Sequence, residues 1–321
     1  MPGSLQSTVI LAKLEATSGT DSAPTNTADA VAIRVSGLSV KVDEKFAERD
    51  IILGFFAGAD KLPVTRRASV AFSVEMQSSG PLGTAPAWGK LLQACAMSET
   101  VTATTRVDYA TASTGLKTLT IWAYINGRLE KYNFCAGTFT VNLKAGDVPS
   151  LDFTFTGLVT SVASGAAPAP TLSAFIRPQA VGPIYTGGLV VGGTYAAGAI
   201  TGGTTYNFQD FSIDAGNDVQ DLLLIAQESV GVYGRAPTFK TTSDFGAAAH
   251  AAFVADMHAG TTRSVGLTHG TVAGQKVLIH APAMTITSVL DNINGQVLLS
   301  EMTGLLRPTA SNNDDFRIVA L

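Results

Sequence analysis

The sequence predicts a mainly β protein of two tandem antiparallel β-domains, each flanked by one short α-helix. Three observations carry that expectation. Apolar and polar residues alternate with a period of two along several runs, an Asn-Gly pair lies between two of these runs, and the two halves of the chain show an ordered self-similarity. The composition is compatible with it. Of 321 residues, 46% are hydrophobic and 14% charged, against roughly a quarter charged in ordinary chains. Such a chain can build a substantial core, and its rather neutral exterior is expected where other subunits cover it.

Taken in order, residues 1–30 read as an N-terminal arm. Met1-Pro2-Gly3-Ser4 offers no basic segment leading into an apolar one, so no secretory signal is expected. No run approaches the ~20 apolar residues that cross a bilayer. The expectation is a soluble chain made in the cytoplasm, with no membrane partner.

The first β-domain is placed at 31–160 and opens on a long hairpin, 41–67. Eleven charged residues fall in these 27 positions, among them Asp43, Glu44, Lys45, Glu48, Arg49, Asp50, Asp60 and Lys61. In their midst lies the apolar patch Ile51-Ile52-Leu53-Gly54-Phe55-Phe56. Mixed charge alone suits a solvated loop. An exposed apolar tip, however, is an aggregation hazard unless something covers it. The named residues are therefore the candidate docking surface for another subunit, their charges selecting the partner more than adding affinity.

Half-buried strands follow. Val70, Phe72, Val74 and Met76 alternate with small or polar residues, and the same pattern recurs over 119–125, 138–143 and 151–156. Asn126-Gly127 marks a type I′ hairpin, whose two central residues need positive φ. A helix interrupts the strands, with Thr84 as its cap and Pro86 in its first turn. Trp88, Leu91, Leu92 and Cys95 share one apolar stripe on it and are its expected core contacts.

Residues 161–205 read as a connector. From Val159 to Thr205 the only charged residue is Arg177, amid four prolines and the pairs Gly187-Gly188, Gly192-Gly193 and Gly202-Gly203. So long a structureless stretch favours a boundary, possible contact with a neighbour included. The second domain, 206–321, repeats features of the first. Leu38-Ser39-Val40 matches Phe211-Ser212-Ile213 at an offset of 173, as Thr65, Arg67 and Phe72 match Thr238, Lys240 and Phe245. Thr156-Gly157-Leu158 returns as Thr303-Gly304-Leu305 at an offset of 147, and Ala249, Ala252, Phe253 and Met257 keep helical spacing. Ala136-Gly137 and Thr140-Val141 correspond to Ala281-Pro282 and Thr285-Ile286 at an offset of 145, and the fall from 173 implies roughly 28 extra residues around Gly80 to Leu116 in the first copy.

Chemistry is hard to find. Cys95 and Cys135 form no CxxC pair, which argues for free thiols in a reducing compartment. His250, His258, His269 and His280 lie outside any HExxH and read as solvated or polar-core residues. The glycine pairs lack the GxxxxGK[ST] of a phosphate loop, and no GxSxG occurs. No catalytic, cofactor or metal residues are expected. The net charge of −4 gives no basic footprint for gripping DNA.

The run Thr84-Ala85-Pro86-Ala87-Trp88-Gly89-Lys90-Leu91-Leu92-Gln93-Ala94-Cys95 resembles the short helix motif of siphophage major tail proteins. Pro63 to Ala68, leading into a strand, and the strand end Thr154 to Gly157 are similar to the same family, over roughly residues 30–160. The resemblance implies tail-tube-like β-sandwich or half-barrel domains, sheets joined edge to edge around a ring, and a long hairpin binding the next ring. It further implies a virion location in the tail, a tape-measure protein and a tail terminator as partners, and a lumen through which DNA passes without specific binding. Most members form hexameric rings, and doubled versions form trimeric, pseudo-hexameric ones; the duplication points to the latter.

Two rival readings belong beside it. A capsid decoration protein would form closed oligomers that do not elongate, and a surface adhesin would call for a signal peptide. An enzyme on a β-scaffold would need clustered aromatic and acidic residues, whereas Trp88 and Trp122 are the only tryptophans.

Overall fold

In the computed structural model the described residues are 7–321, apart from Leu53, Ala57 and Gly295. The chain is mainly β, with two helices among the described residues. The first half contains β1 (Val9–Leu14), β2 (Ala30–Val31), β3 (Ser39–Glu48), β4 (Lys61–Glu75) and α1 (Gly89–Gln93), followed by β5 (Met97–Thr102) and β6 (Arg106–Thr111). It ends with β7 (Leu119–Ile125), β8 (Arg128–Lys144) and β9 (Ser150–Ser164). The pairing runs β3-β4-β9-β8-β7-β1-β2, antiparallel at every step. Asn126 and Gly127 turn β7 into β8 with φ of 51° and 77°. These positive angles are what the two central positions of a type I′ turn require.

The second half contains β10 (Leu189–Val191), β11 (Thr194–Ala196), β12 (Ala199–Thr201), β13 (Thr204–Asp214), β14 (Asn217–Leu224), β15 (Gln227–Arg235) and β16 (Thr238–Asp244). Then come α2 (Gly246–Ala259), β17 (Thr262–His269), β18 (Val277–Asn294), β19 (Val297–Leu306) and β20 (Arg317–Ala320). Here the pairing runs β13-β16-β19-β18-β17-β10, and β10 returns to β13, so six strands close on themselves. Six of these strands follow the order β3-β4-β9-β8-β7-β1 of the first half, while β2, β5 and β6 there and β11, β12, β14, β15 and β20 here have no place in that order. β5 and β6 lie between Gly80 and Leu116. Their hairpin carries β20 on its far side, and β20 pairs in turn with β18.

Gly157 and Gly304 anchor the comparison of the halves. Gly157 faces Ala68 across β9–β4 and Gly304 faces Phe239 across β19–β16. A Cβ at Gly157 would sit 2.5 Å from the Cys135 Sγ, and one at Gly304 2.6 Å from the Met284 Cγ. Both glycines thus admit a sulfur-bearing side chain beside a bulge in the neighbouring long strand. From this anchor β4 and β16 correspond at an offset of 171, two residues away from the sequence matches at 173. A two-residue slip keeps every side chain on its face, so the pattern alone could not detect it.

Both halves share one core. Phe72, Phe139, Phe153 and Phe155 form an aromatic group with centroids 5.7–6.0 Å apart, Phe139 also meets Phe316, and Phe211 meets Phe239 at 5.5 Å. The halves are stitched together by Thr140–Lys144 of β8, which pair with Asp210–Asp214 of β13.

Several local expectations differ from what is found. The segment assigned to an arm supplies β1 instead, because Ile10, Leu11 and Ala12 are buried against β7. Helix α1 begins at Gly89 with Trp88 as its cap residue, four residues after the expected cap Thr84, and no side chain caps it. Thr84 belongs to the preceding turn, where its N–H donates to the Pro81 carbonyl. The connector is not structureless either. Asn26 holds Ala169 and Thr171 to the chain's own surface. Gly192-Gly193 and Gly202-Gly203 flank the small β11–β12 hairpin, and a Cβ at Gly203 would come within 2.6 Å of the Gly193 nitrogen. Those pairs permit a close backbone crossing.

His269 pins the connector to β17: its Nδ1 meets the Thr186 Oγ1 and its Nε2 the Gln179 carbonyl, both at 3.0 Å. Burial pushes its pKa below the ordinary 6.5. Burial likewise lowers His280, whose neighbour Arg317 acts in the same direction. Both rings are therefore neutral in the fold, while in the unfolded chain they take up protons below about pH 6.5. The stability they contribute is complete above that pH and is lost as pH falls through it. The thermal midpoint should drop between pH 7 and pH 5, and less steeply in a His269→Gln/His280→Gln variant; an unchanged wild-type midpoint contradicts the assignment. Trp88, fully buried with its Nε1–H on the Gln77 carbonyl at 2.6 Å, should lose about 3–5 kcal/mol on Trp88→Ala, measured by denaturant unfolding.

Candidate assembly interface

β3 and β4 continue past the body as a hairpin. Its charges face one another across the strands: Glu44 lies opposite Arg66 and bonds it at 2.8 Å, Glu48 opposite Lys61 at 2.7 Å, and Arg49 meets Asp60 at 3.7 Å. Cross-strand pairs of opposite sign favour one register. All are exposed, so each contributes little to stability. Asp43, Lys45 and Asp50 are exposed on the same hairpin.

The apolar residues of the hairpin are uncovered. Ile52 and Phe56 are fully exposed and Phe55 nearly so, with Ile51, Val42, Phe46, Leu62 and Val64 partly open. Leu53 lies outside the described residues. Thus Asp43, Glu44, Lys45, Glu48, Arg49, Asp50, Ile51, Ile52, Phe55, Phe56, Asp60 and Lys61 occupy one protruding element. Trp88, Leu91, Leu92 and Cys95 lie elsewhere, buried in the body.

The structure adds a second hairpin, β14–β15, between β13 and β16, which the sequence expectations do not include. Its signal was there: Leu222-Leu223-Leu224-Ile225 is an apolar run bounded by Asp221 and Gln227-Glu228. These four residues are exposed at its tip, but its root is docked. The Asn217 Nδ2 donates to the carbonyls of Cys95 and Gly137 at 2.8 and 3.0 Å. Arg235 donates to the carbonyls of Ala96 and Ala112 and pairs with Asp315 at 3.2 Å. Arg67 of β4 reaches across to Asp221 and Glu228, and Thr65 donates to Glu228. The root of the second hairpin lies over the first half of its own chain and meets Thr65 and Arg67 near the base of the first hairpin, whereas Ile52, Phe55 and Phe56 at the first hairpin's tip stay exposed.

Burial raises the thiols of Cys95 and Cys135 well above their usual range, leaving them protonated. His250 brings Ser300 and Asp291 together, at 2.8 and 3.9 Å, yet both meet the same nitrogen, Nδ1. A nucleophile–base–orienter relay needs the two ring nitrogens to divide those roles. No cluster of three or more metal-ligating side chains occurs among the described residues, and no helix among them is long and apolar enough to cross a membrane.

No curated protein matches the sequence significantly. The model of one protein family, described as phage tail tube protein, matches residues 6–310, nearly the whole chain. The span takes in both hairpins, both helices and the β8–β13 seam, so the match covers the architecture as well as the core. The chain therefore belongs to the phage tail tube protein family and is a structural component of the virion tail.

Proposed function

We propose that three copies of this chain close a pseudo-sixfold ring, each supplying two duplicated β-domains, and that rings stack into the tube through the first hairpin. A six-copy ring is the alternative. Supporting the duplication are the matched strand order of the halves and the paired glycines Gly157 and Gly304. The observation that carries the stacking role is the apolar tip, where Ile52 and Phe56 are fully exposed. The distal part, Glu48 to Lys61, docks on the next ring, while the root belongs to the contact within a ring.

The physics is simple. An unpaired strand edge is completed by an identical copy, and closure around a ring removes the edges. Stacking is a heterologous contact that does not close, so it elongates without limit. A tape-measure protein then sets the length and a tail terminator stops it. The role is a conduit for DNA ejection, without catalysis. With a net charge of −4 the subunit offers few counterion-releasing contacts, and DNA slides past without specific binding.

Electron microscopy of the concentrated protein should show hollow, regularly striated tubes, and native mass measurement of dissociated rings should give three chains. Persistent compact monomers would contradict the reading. A Phe55→Ser/Phe56→Ser variant should fold with stability changed by no more than about 0.5 kcal/mol, as for other exposed sites, and should form rings that fail to stack. Tubes of normal length from that variant would remove the tip from the stacking contact.

A further inference from the structure

The seam inside one chain is a template for the seam between chains. At that seam β8 receives β13: Val141 stands opposite Ile213, and Thr140 opposite Asp214. Counting from Gly157 and Gly304, the position of Ile213 in the second half corresponds to Val42 in the first. Ile213 pairs with Phe239, which faces Gly304, and Val42 pairs with Ala68, which faces Gly157. By the same count Val141, opposite Leu151, corresponds to Ile293, opposite Leu298.

The corresponding residues differ sharply in exposure. Ile213, Val141 and Leu151 are 0% exposed, while Val42, Ile293 and Leu298 are 45%, 75% and 61% exposed. The backbone tells the same story. β17 pairs with β18 only as far as Thr285, so Ile286–Asn294 have β19 on one side and no strand on the other. β3 has β4 alone. α2 approaches this end of β18 through His250, 3.9 Å from Asp291, without covering Ile293.

We infer that β3 of one copy adds, antiparallel, to the free edge of β18 in the next copy, with Val42 opposite Ile293 and Asp43 opposite Asn292. The partner is a second copy of this chain, because the seam it would form continues one the chain already makes. The contact is heterologous, edge to opposite edge, as ring closure requires. It rests on the ring reading above and adds the surfaces and the register.

The test is a disulfide across the predicted seam. In the template, the Ala215 N–H donates to the Phe139 carbonyl and the Ala145 N–H to the Gln209 carbonyl. Thr140–Asp214 therefore falls between hydrogen-bonded pairs, where opposed Cβ atoms come closest. An Asp43→Cys/Asn292→Cys protein, assembled and mildly oxidised, should give covalent oligomers on a non-reducing gel, with the ring as the largest species. Each single variant should stay monomeric on that gel, since Cys95 and Cys135 are buried. Rings or tubes seen by microscopy without a cross-link would overturn the edge assignment and leave the tube reading standing. Should the double variant fail to assemble, hydrogen exchange on wild-type tubes decides. Amides of 41–45 and 287–293 should exchange at least about tenfold more slowly in tubes than in monomer, and equal rates would overturn the pairing. Wild-type protein that never forms rings would overturn both readings.

Discussion

A strand has two edges, and backbone groups left unpaired away from water are costly. That constraint organises this molecule around β8, a strand of 17 residues. Along one edge β8 carries β9 for nearly its whole length. Along the other it carries β7 near its start and β13 near its end. Without Asp210–Asp214 in place, the latter part of that edge would be open and Val141, Leu143 and Phe139 would lose their cover. The two halves share one continuous core because this strand is longer than either neighbour on that side. β18, of 18 residues, has the same excess length and no second neighbour for it.

Much of this was legible in the residues. Alternation located the core strands because a period of two is what a half-buried strand imposes. Asn126-Gly127 located a turn because few other residues accept its dihedral angles. What could not be read was long-range. Nothing in Val9–Leu14 says that it pairs with a strand more than a hundred residues away, so by sequence alone it reads as an arm. The glycine pairs of the connector looked like flexibility, whereas they mark a crossing whose partner lies ten residues further along. The second hairpin was hidden because its apolar tip resembles a core strand until its neighbours are known.

The assembly surface divides the same way. The apolar patch at 51–56 stands out by its charged surroundings, and its Ile51, Ile52, Phe55 and Phe56 are exposed on the hairpin. The meaning of those charges changed. Glu44, Glu48, Arg49, Asp60, Lys61 and Arg66 pair with each other within the hairpin, so their first effect is to hold its own register. Arg67, one residue further, leaves that pattern and grips Asp221 and Glu228 of the second hairpin. Only the coordinates separate these two uses of the same residue type.

The β8–β13 joint sits inside a single polypeptide, and this bears on how a ring is born. Two tethered partners meet at an effective concentration set by their linker, in the millimolar range for short flexible ones, however dilute the protein. In the ring of three chains proposed above, every second joint would form as the chain folds, leaving three encounters to chance in place of six. An ornament such as the β5–β6 hairpin would then recur at alternate positions around the circumference, giving the proposed tube a coarser surface rhythm than its inner wall.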